Sequence, residues 1–182
     1  MEPRLALAAD GLARVRESVA ALLGGAAAAG PDGAQALLAR PEGRGNSQAW
    51  LVWHLTRVLD EQGIGALAPL VPGFPGQLWI EEGFAERFAL PYPPRDHGYG
   101  HTAEQVAAFP AVDPAELAAY HEAVQNRLLA LLEALGEDGT DAVVDAAWDP
   151  PVTAGVRLVS VLDDAARHIG QAEYVRGLVL GG

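Results

Sequence analysis

Apolar positions return with a helical period in four stretches of the chain. In the first, Leu5, Leu12, Val15, Val19, Leu22 and Leu23 share one face, and Arg14, Arg16 and Glu17 take the other. "GGAAAAGPDG" ends it, and a short helix over about Ala34 to Ala39 precedes the turn "RPEGRGN". The second begins at Asn46 or Ser47, both good caps, and runs "QAWLVWHLTRVLDEQGIGAL", with Trp50, His54, Val58 and Glu61 on one stripe. Gly63 and Gly65 weaken its end, and "PLVPGFPG" stops it. In the third, Asp113 is the cap, Pro114 the first helical residue, and Leu117, Tyr120, Val124, Leu128, Leu131 and Leu135 the core stripe. The fourth is capped near Thr153 and runs to about Leu180.

Between the second and third stretches, residues 72–112 hold most of the Pro and aromatic residues and lack a long period. Short helical turns are expected near Gln77 to Phe88 and Ala103 to Ala108, the latter capped by Thr102. So long a connection predicts a crossover between helices two and three, and connections of this length often carry function. With no convincing strand pattern, the expectation is an all-α fold: a single domain over residues 1–182, built as a four-helix bundle.

Composition narrows the function. Half the residues are hydrophobic and 20% are charged, as in a globular chain. The net charge is −12, and all 12 basic residues are scattered arginines. That is the wrong footprint for nucleic acid or an anionic membrane surface. The chain has no Cys, which excludes disulfides, thiolate ligands and a cysteine nucleophile. The N-terminus lacks a basic leader, and no apolar run has the length of a membrane span, so a cytoplasmic protein is expected. Apolar residues spilling onto second helix faces make a homodimer a further expectation. No G-x-S-x-G, P-loop or G-x-G-x-x-G pattern occurs.

The chemistry-bearing stretch is "SVLDDAARHIGQAEYVRG". Asp164, His168 and Gln171 fall at i, i+4 and i+7, beside Val161, Ala165, Ala172 and Val175. Burying such groups costs on the order of several kcal/mol unless something pairs with them. His54 sits on the inward stripe of the second helix. Two imidazoles and one carboxylate from facing helices could converge on a divalent ion and leave coordination positions open, as catalytic sites do. The plain alternative is a local surface contact of Asp164 with Arg167 or His168.

Around them, Gln171 either orients a ligand or fills a polar gap. Glu61, two turns from His54, is a general-base candidate or a solvated helix end. Arg176 either anchors an anionic substrate or pairs with a carboxylate such as Glu173. Trp50, Trp53, Trp79 and Trp148 read as core and lid packing, with Trp53 and Trp79 as possible pocket walls. His97 and His101 have the spacing of a metal pair, but their Gly-rich segment reads as an ordinary loop with His101 near a helix start, and His121 reads as exposed.

"WLVWHLTRVLDEQ" followed by "DDAARHIGQAEYVRG" resembles the DinB-like superfamily of metal-binding bundles. The resemblance is strongest to the branch of mycothiol-dependent maleylpyruvate isomerases and related bacterial thiol transferases. "LWIEEGFAERFALP…GYGHTAEQVAAF" shares it, so it spans about residues 46–176. It implies a metal held by one His of the second helix and a His-xxx-His or Glu-xxx-His pair of the fourth, here His54, Asp164 and His168. It further implies a small-molecule thiol cosubstrate and an electrophile, with zinc the first expectation for the ion and nickel, iron or manganese as alternatives. Asp at position 164 is one methylene shorter than the family's Glu. The isomerases also carry a second domain beyond the bundle, so their isomerisation is not expected here. A bundle that binds metal or a small ligand without turnover, or a metal-dependent hydrolase, is the alternative.

Overall fold

The computed structural model describes residues 2–180. Four long helices form the bundle: α1 (Pro3–Ala28), α3 (Gln48–Val58), α7 (Pro114–Leu135) and α8 (Ala154–Leu180). Short helices α2 (Pro31–Ala36), α4 (Leu78–Glu81), α5 (Phe84–Phe88) and α6 (Ala103–Ala107) lie in the connections. Three of the long helices start where the sequence supplies a side-chain cap, and α1 starts at Pro3 without one. Ser47 accepts from the Trp50 amide, Asp113 from Ala115, and Thr153 from Val156.

Side-chain pairs fix the direction of each helix. Arg4 and Arg16 of α1 pair with Glu137 and Glu122, so α1 runs against α7. Gly11 and Gly25 face Leu162 and Arg176, so α1 runs with α8. Thr56 meets His121, and Gly63, just beyond α3, faces Leu128 and Val161. Thus α3 runs parallel to α7 and, with His54 beside His168, antiparallel to α8. Two consecutive long helices that point the same way need a return connection along the bundle. Residues 71–113 supply it, as the sequence led one to expect.

That connection crosses the outer side of α3. Every residue from Gln48 to Val58 is buried, Arg57 included. Trp53 packs against Trp79, Tyr92 and Phe109 of the crossover. Asp60 pins the crossover to the helix: its carboxylate accepts from the Leu78 and Trp79 amides and the Tyr120 hydroxyl, each at 2.8 Å, with Arg57 at 3.5 Å. Burial pushes the Asp60 carboxyl up, and these donors oppose the shift. Beyond Val58 the helix widens into a π turn over Leu59–Gly65.

Four expectations are corrected. His121 is buried: its Nδ1 contacts Thr56 Oγ1 at 2.9 Å, and Gln125 Nε2 lies 3.2 Å from its Nε2. The Thr56 hydroxyl itself donates to the Val52 carbonyl, so His121 Nδ1–H is the donor to Thr56. Periodicity placed His121 beside the stripe, but the parallel packing of α7 on α3 covers that flank. Trp148 is 65% exposed on a turn and packs neither core nor lid. A two-strand antiparallel hairpin, β1 (Val143–Asp145) and β2 (Val152–Thr153), links α7 to α8 where no strand pattern was evident. Asp164, His168 and Gln171 lie on the shoulder of α8, half-buried to exposed, while Val161, Ala165, Ala172 and Val175 take the buried line.

Candidate metal centre

His54 projects from the middle of α3, one turn after Trp50, whose indole stacks on its ring at 4.8 Å and 15°. The loop that carries the crossover back over this point is tied by Asp96. One carboxylate oxygen accepts from the Gly98 amide at 2.8 Å, the other from His101 Nε2 at 3.0 Å. His101 Nδ1 in turn accepts from Trp50 Nε1 at 3.2 Å. Gly98 has φ +93° and sits so close to α3 that a Cβ there would lie 2.9 Å from His54 Nδ1 and from Trp50 Cζ2. Only glycine allows that approach. Its effect is to lay the His97 carbonyl on His54 Nδ1, which donates to it. The tautomer follows: Nδ1 carries the proton and Nε2 keeps a lone pair.

Across the α3–α8 seam, His168 meets His54 edge to face at 4.7 Å. His168 Nδ1 lies 2.8 Å from Gln171 Oε1, an obligate acceptor, so it donates there and its Nε2 faces Asp164 Oδ1 at 3.5 Å. Asp164 Oδ2 is buried with no partner among the described residues. One donor atom from each of His54, Asp164 and His168 lies within 4.8 Å of the other two. Donors about 2.1 Å from a first-row ion stand roughly 3–4 Å apart, so small side-chain movements would close the set. The residues therefore fit a divalent cation by two criteria: both imidazoles present Nε2, and a buried carboxylate oxygen lacks a partner.

The two rings differ in their electrostatics. Burial lowers the His54 pKa, against the opposing bond to the His97 carbonyl, which favours the neutral ring a ligand needs. Burial also disfavours charge on His168, but hydrogen bonds to Asp164 and Gln171 outweigh it and raise its pKa, so without a cation the proton is favoured there and a bound ion would displace it. Side-chain exposures of 19% for His168 and 33% for Asp164, against a buried His54, show the cluster open to solvent on its α8 side.

The remaining candidates disperse. Gln171 reaches the cluster through His168. Glu61 pairs with the buried Arg57 at 3.2 Å. Arg176 lies beside Gly25 and lines a cleft between α1 and α2, with no carboxylate partner among the described residues. Trp53 is fully buried and, with Trp79, walls a pocket of about 300 Å³ under the crossover. Asp164 does not pair with Arg167, which takes Asp163. The loop "RDHGYGHT" is more than a connection: Asp96, His97, Gly98 and His101 brace His54. Its Gly pattern was visible in the sequence, but what the loop rests on was not.

No curated protein matches the chain. Among solved structures, the crystal structure of a conserved protein from Enterococcus faecalis superposes with a TM-score of 0.83 at 33% identity, covering 97% of this chain and 96% of that one. The sequence profile of the DinB superfamily matches residues 12–172, which include His54, Asp164 and His168. The up-down-down-up bundle, with its polar cluster on the seam of the second and fourth long helices, is that of a chain that belongs to the DinB superfamily.

Proposed function

We propose that this protein is a divalent-metal-dependent enzyme that joins a small thiol to an electrophile. His54 Nε2, His168 Nε2 and an oxygen of Asp164 would hold the ion, zinc foremost, with nickel, iron or manganese also suited to this donor set. The supporting observation is the convergence within 4.8 Å of two imidazoles whose Nδ1 atoms are already bonded elsewhere and a carboxylate with a buried, unpartnered oxygen. When bound, the cation supplies positive charge that favours a thiolate over a thiol at neutral pH.

The chain's own residues do the rest. The His97 carbonyl and Gln171 hold the two rings in the ligating tautomer. Asp164 offsets cationic charge at the seam. Trp50 and the 96–101 loop keep water from the inner side of His54, while the α8 side admits small molecules. The thiol part of the reading draws on the likeness to the mycothiol-dependent branch, and a chain with no Cys fits a sulfur supplied by a diffusible cosubstrate without demanding it.

Element-resolved quantification of the purified protein tests the first half: about one ion per chain, lost in His54→Ala, Asp164→Ala and His168→Ala. The second half is tested with 1-chloro-2,4-dinitrobenzene and bacterial low-molecular-weight thiols. The sulfur–carbon bond forms as chloride leaves and the thiol proton goes to solvent. Ion-dependent conjugation is expected. A stoichiometric ion without turnover reduces the protein to a binding bundle, and ion-dependent hydrolysis without thiol assigns the site to water.

A further inference from the structure

The antiparallel register of α3 and α8 continues past the metal donors. His54 faces His168, and three residues further along each helix Leu51 and Gln171 line a groove of about 450 Å³. Its wall continues through Val175 and Leu178 on α8 and is closed by the 41–46 turn that precedes α3. Because one helical turn spans about 5.4 Å, a molecule with one end at the donors reaches this groove within a few bonds.

The lining has two characters. Leu51 and Val175 are buried, while Tyr174 and Leu178 stand 69% and 52% exposed at the rim. Apolar side chains left in water around a concave surface gain free energy when something apolar covers them. The polar character comes from Arg44. Eight of the 12 arginines pair with a carboxylate, but Arg44 has no side-chain partner among the described residues, and no Asp or Glu lines the groove. Glu42, two residues before Arg44, and Glu173 on α8 are not part of the lining. In a chain of net charge −12, a cleft whose described lining has one unpaired guanidinium and no carboxylate favours an anion. Gln171 joins groove and cluster: its Oε1 is engaged by His168, and its amide N–H groups have no partner among the described residues.

We propose that this groove seats an elongated substrate with an apolar body and an anionic end, a carboxylate or a phosphate, held by Arg44 while its reactive end reaches the His54–Asp164–His168 cluster. The inference rests on the proposed metal centre for the reactive end, but the groove's preference for an anion stands apart from it.

The test uses two arms. In the first, Co²⁺-loaded protein is titrated with 6-mercaptohexanoate and 6-mercaptohexanol, following the thiolate-to-cobalt absorption. The wild type binds the carboxylate about fivefold more tightly, the scale of one exposed ion pair. Arg44→Gln brings the ratio to about one, and Arg44→Lys keeps most of it. An unchanged ratio in Arg44→Gln overturns the proposal. In the second arm, metal-free protein is titrated with hexanoate, hexyl phosphate and hexanol, reading amide shifts of Leu51, Gln171 and Tyr174. Anion-dependent shifts that vanish in Arg44→Gln are expected, and their relative size separates carboxylate from phosphate. Loss of cobalt binding with these shifts intact refutes the metal centre and leaves the groove. Shifts that ignore the anion refute the groove.

Discussion

Replacing Gly98 by Ala puts the bracing of His54 to the test. The added Cβ would lie 2.9 Å from His54 Nδ1, 2.9 Å from Trp50 Cζ2 and 3.0 Å from Trp53 Cζ3, where ordinary contacts are 3.4–4 Å. All three rings belong to α3, which is buried throughout and cannot yield. The loop must therefore move out by roughly half an ångström to an ångström, and the His97 carbonyl, one peptide away, moves with it. The bond to His54 Nδ1 lengthens or breaks. Loss of such an outer partner weakens metal binding about 10- to 100-fold, or about 1.4–2.7 kcal/mol. The positive φ itself adds about 1–3 kcal/mol of backbone strain. Gly100→Ala is the control: its φ is +74°, but nothing lies within 4 Å of the new Cβ, so it carries the strain without the clash. Zinc affinity by chelator competition, with urea unfolding of the metal-free proteins alongside, separates the two terms. If Gly98→Ala and Gly100→Ala bind zinc within twofold of each other, the loop does not position His54 and the reasoning fails.

Three further outcomes follow from the same geometry. Gln171→Leu removes the acceptor of His168 Nδ1 and lowers zinc affinity about 10-fold, while unfolding stability stays within about 0.5 kcal/mol because the residue is exposed; chelator competition and urea titration read both. Asp60→Ala strips the Leu78 and Trp79 amides, the Tyr120 hydroxyl and the buried Arg57 of their shared partner and costs about 3–5 kcal/mol of stability in urea. Burial, with Arg16 adding to it, drops the His121 pKa from 6.5 to about 3. A group whose folded pKa is depressed contributes stability that is present above pH 6.5 and lost as pH falls toward 3. Between pH 7 and pH 5 the wild type should therefore lose about 2 kcal/mol more than His121→Asn, and equal losses in paired urea titrations would contradict the buried neutral imidazole.

Much of the architecture could be read in the chain because helix signals are local. A cap at Ser47 or Asp113, Pro at the first helical position, and a 3.6-residue apolar stripe act within a turn or two, so the four long helices stand where periodicity predicts them. The crossover was legible for a similar reason: more than forty residues without a long period cannot form a tight turn. Asp164 and His168, four apart on one helix, had to share a flank whatever the fold.

Tertiary structure decided what each flank meets. The long connection implied that α3 and α7 run parallel, but no local pattern says which of their flanks meet, and that packing is what buries His121 and Thr56 together. Glu61 and His54 share a stripe in sequence, yet the Glu61 carboxylate pairs with the buried Arg57. The His97 carbonyl, Asp96 and His101 come to His54 from more than forty residues away. Such contacts depend on chain direction and loop path, to which hydrophobic periodicity is blind. By itself the sequence settled which residues form helices and which side chains could donate to a cation. Only packing decided which of them share a space, because convergence is a property of two helices and their register.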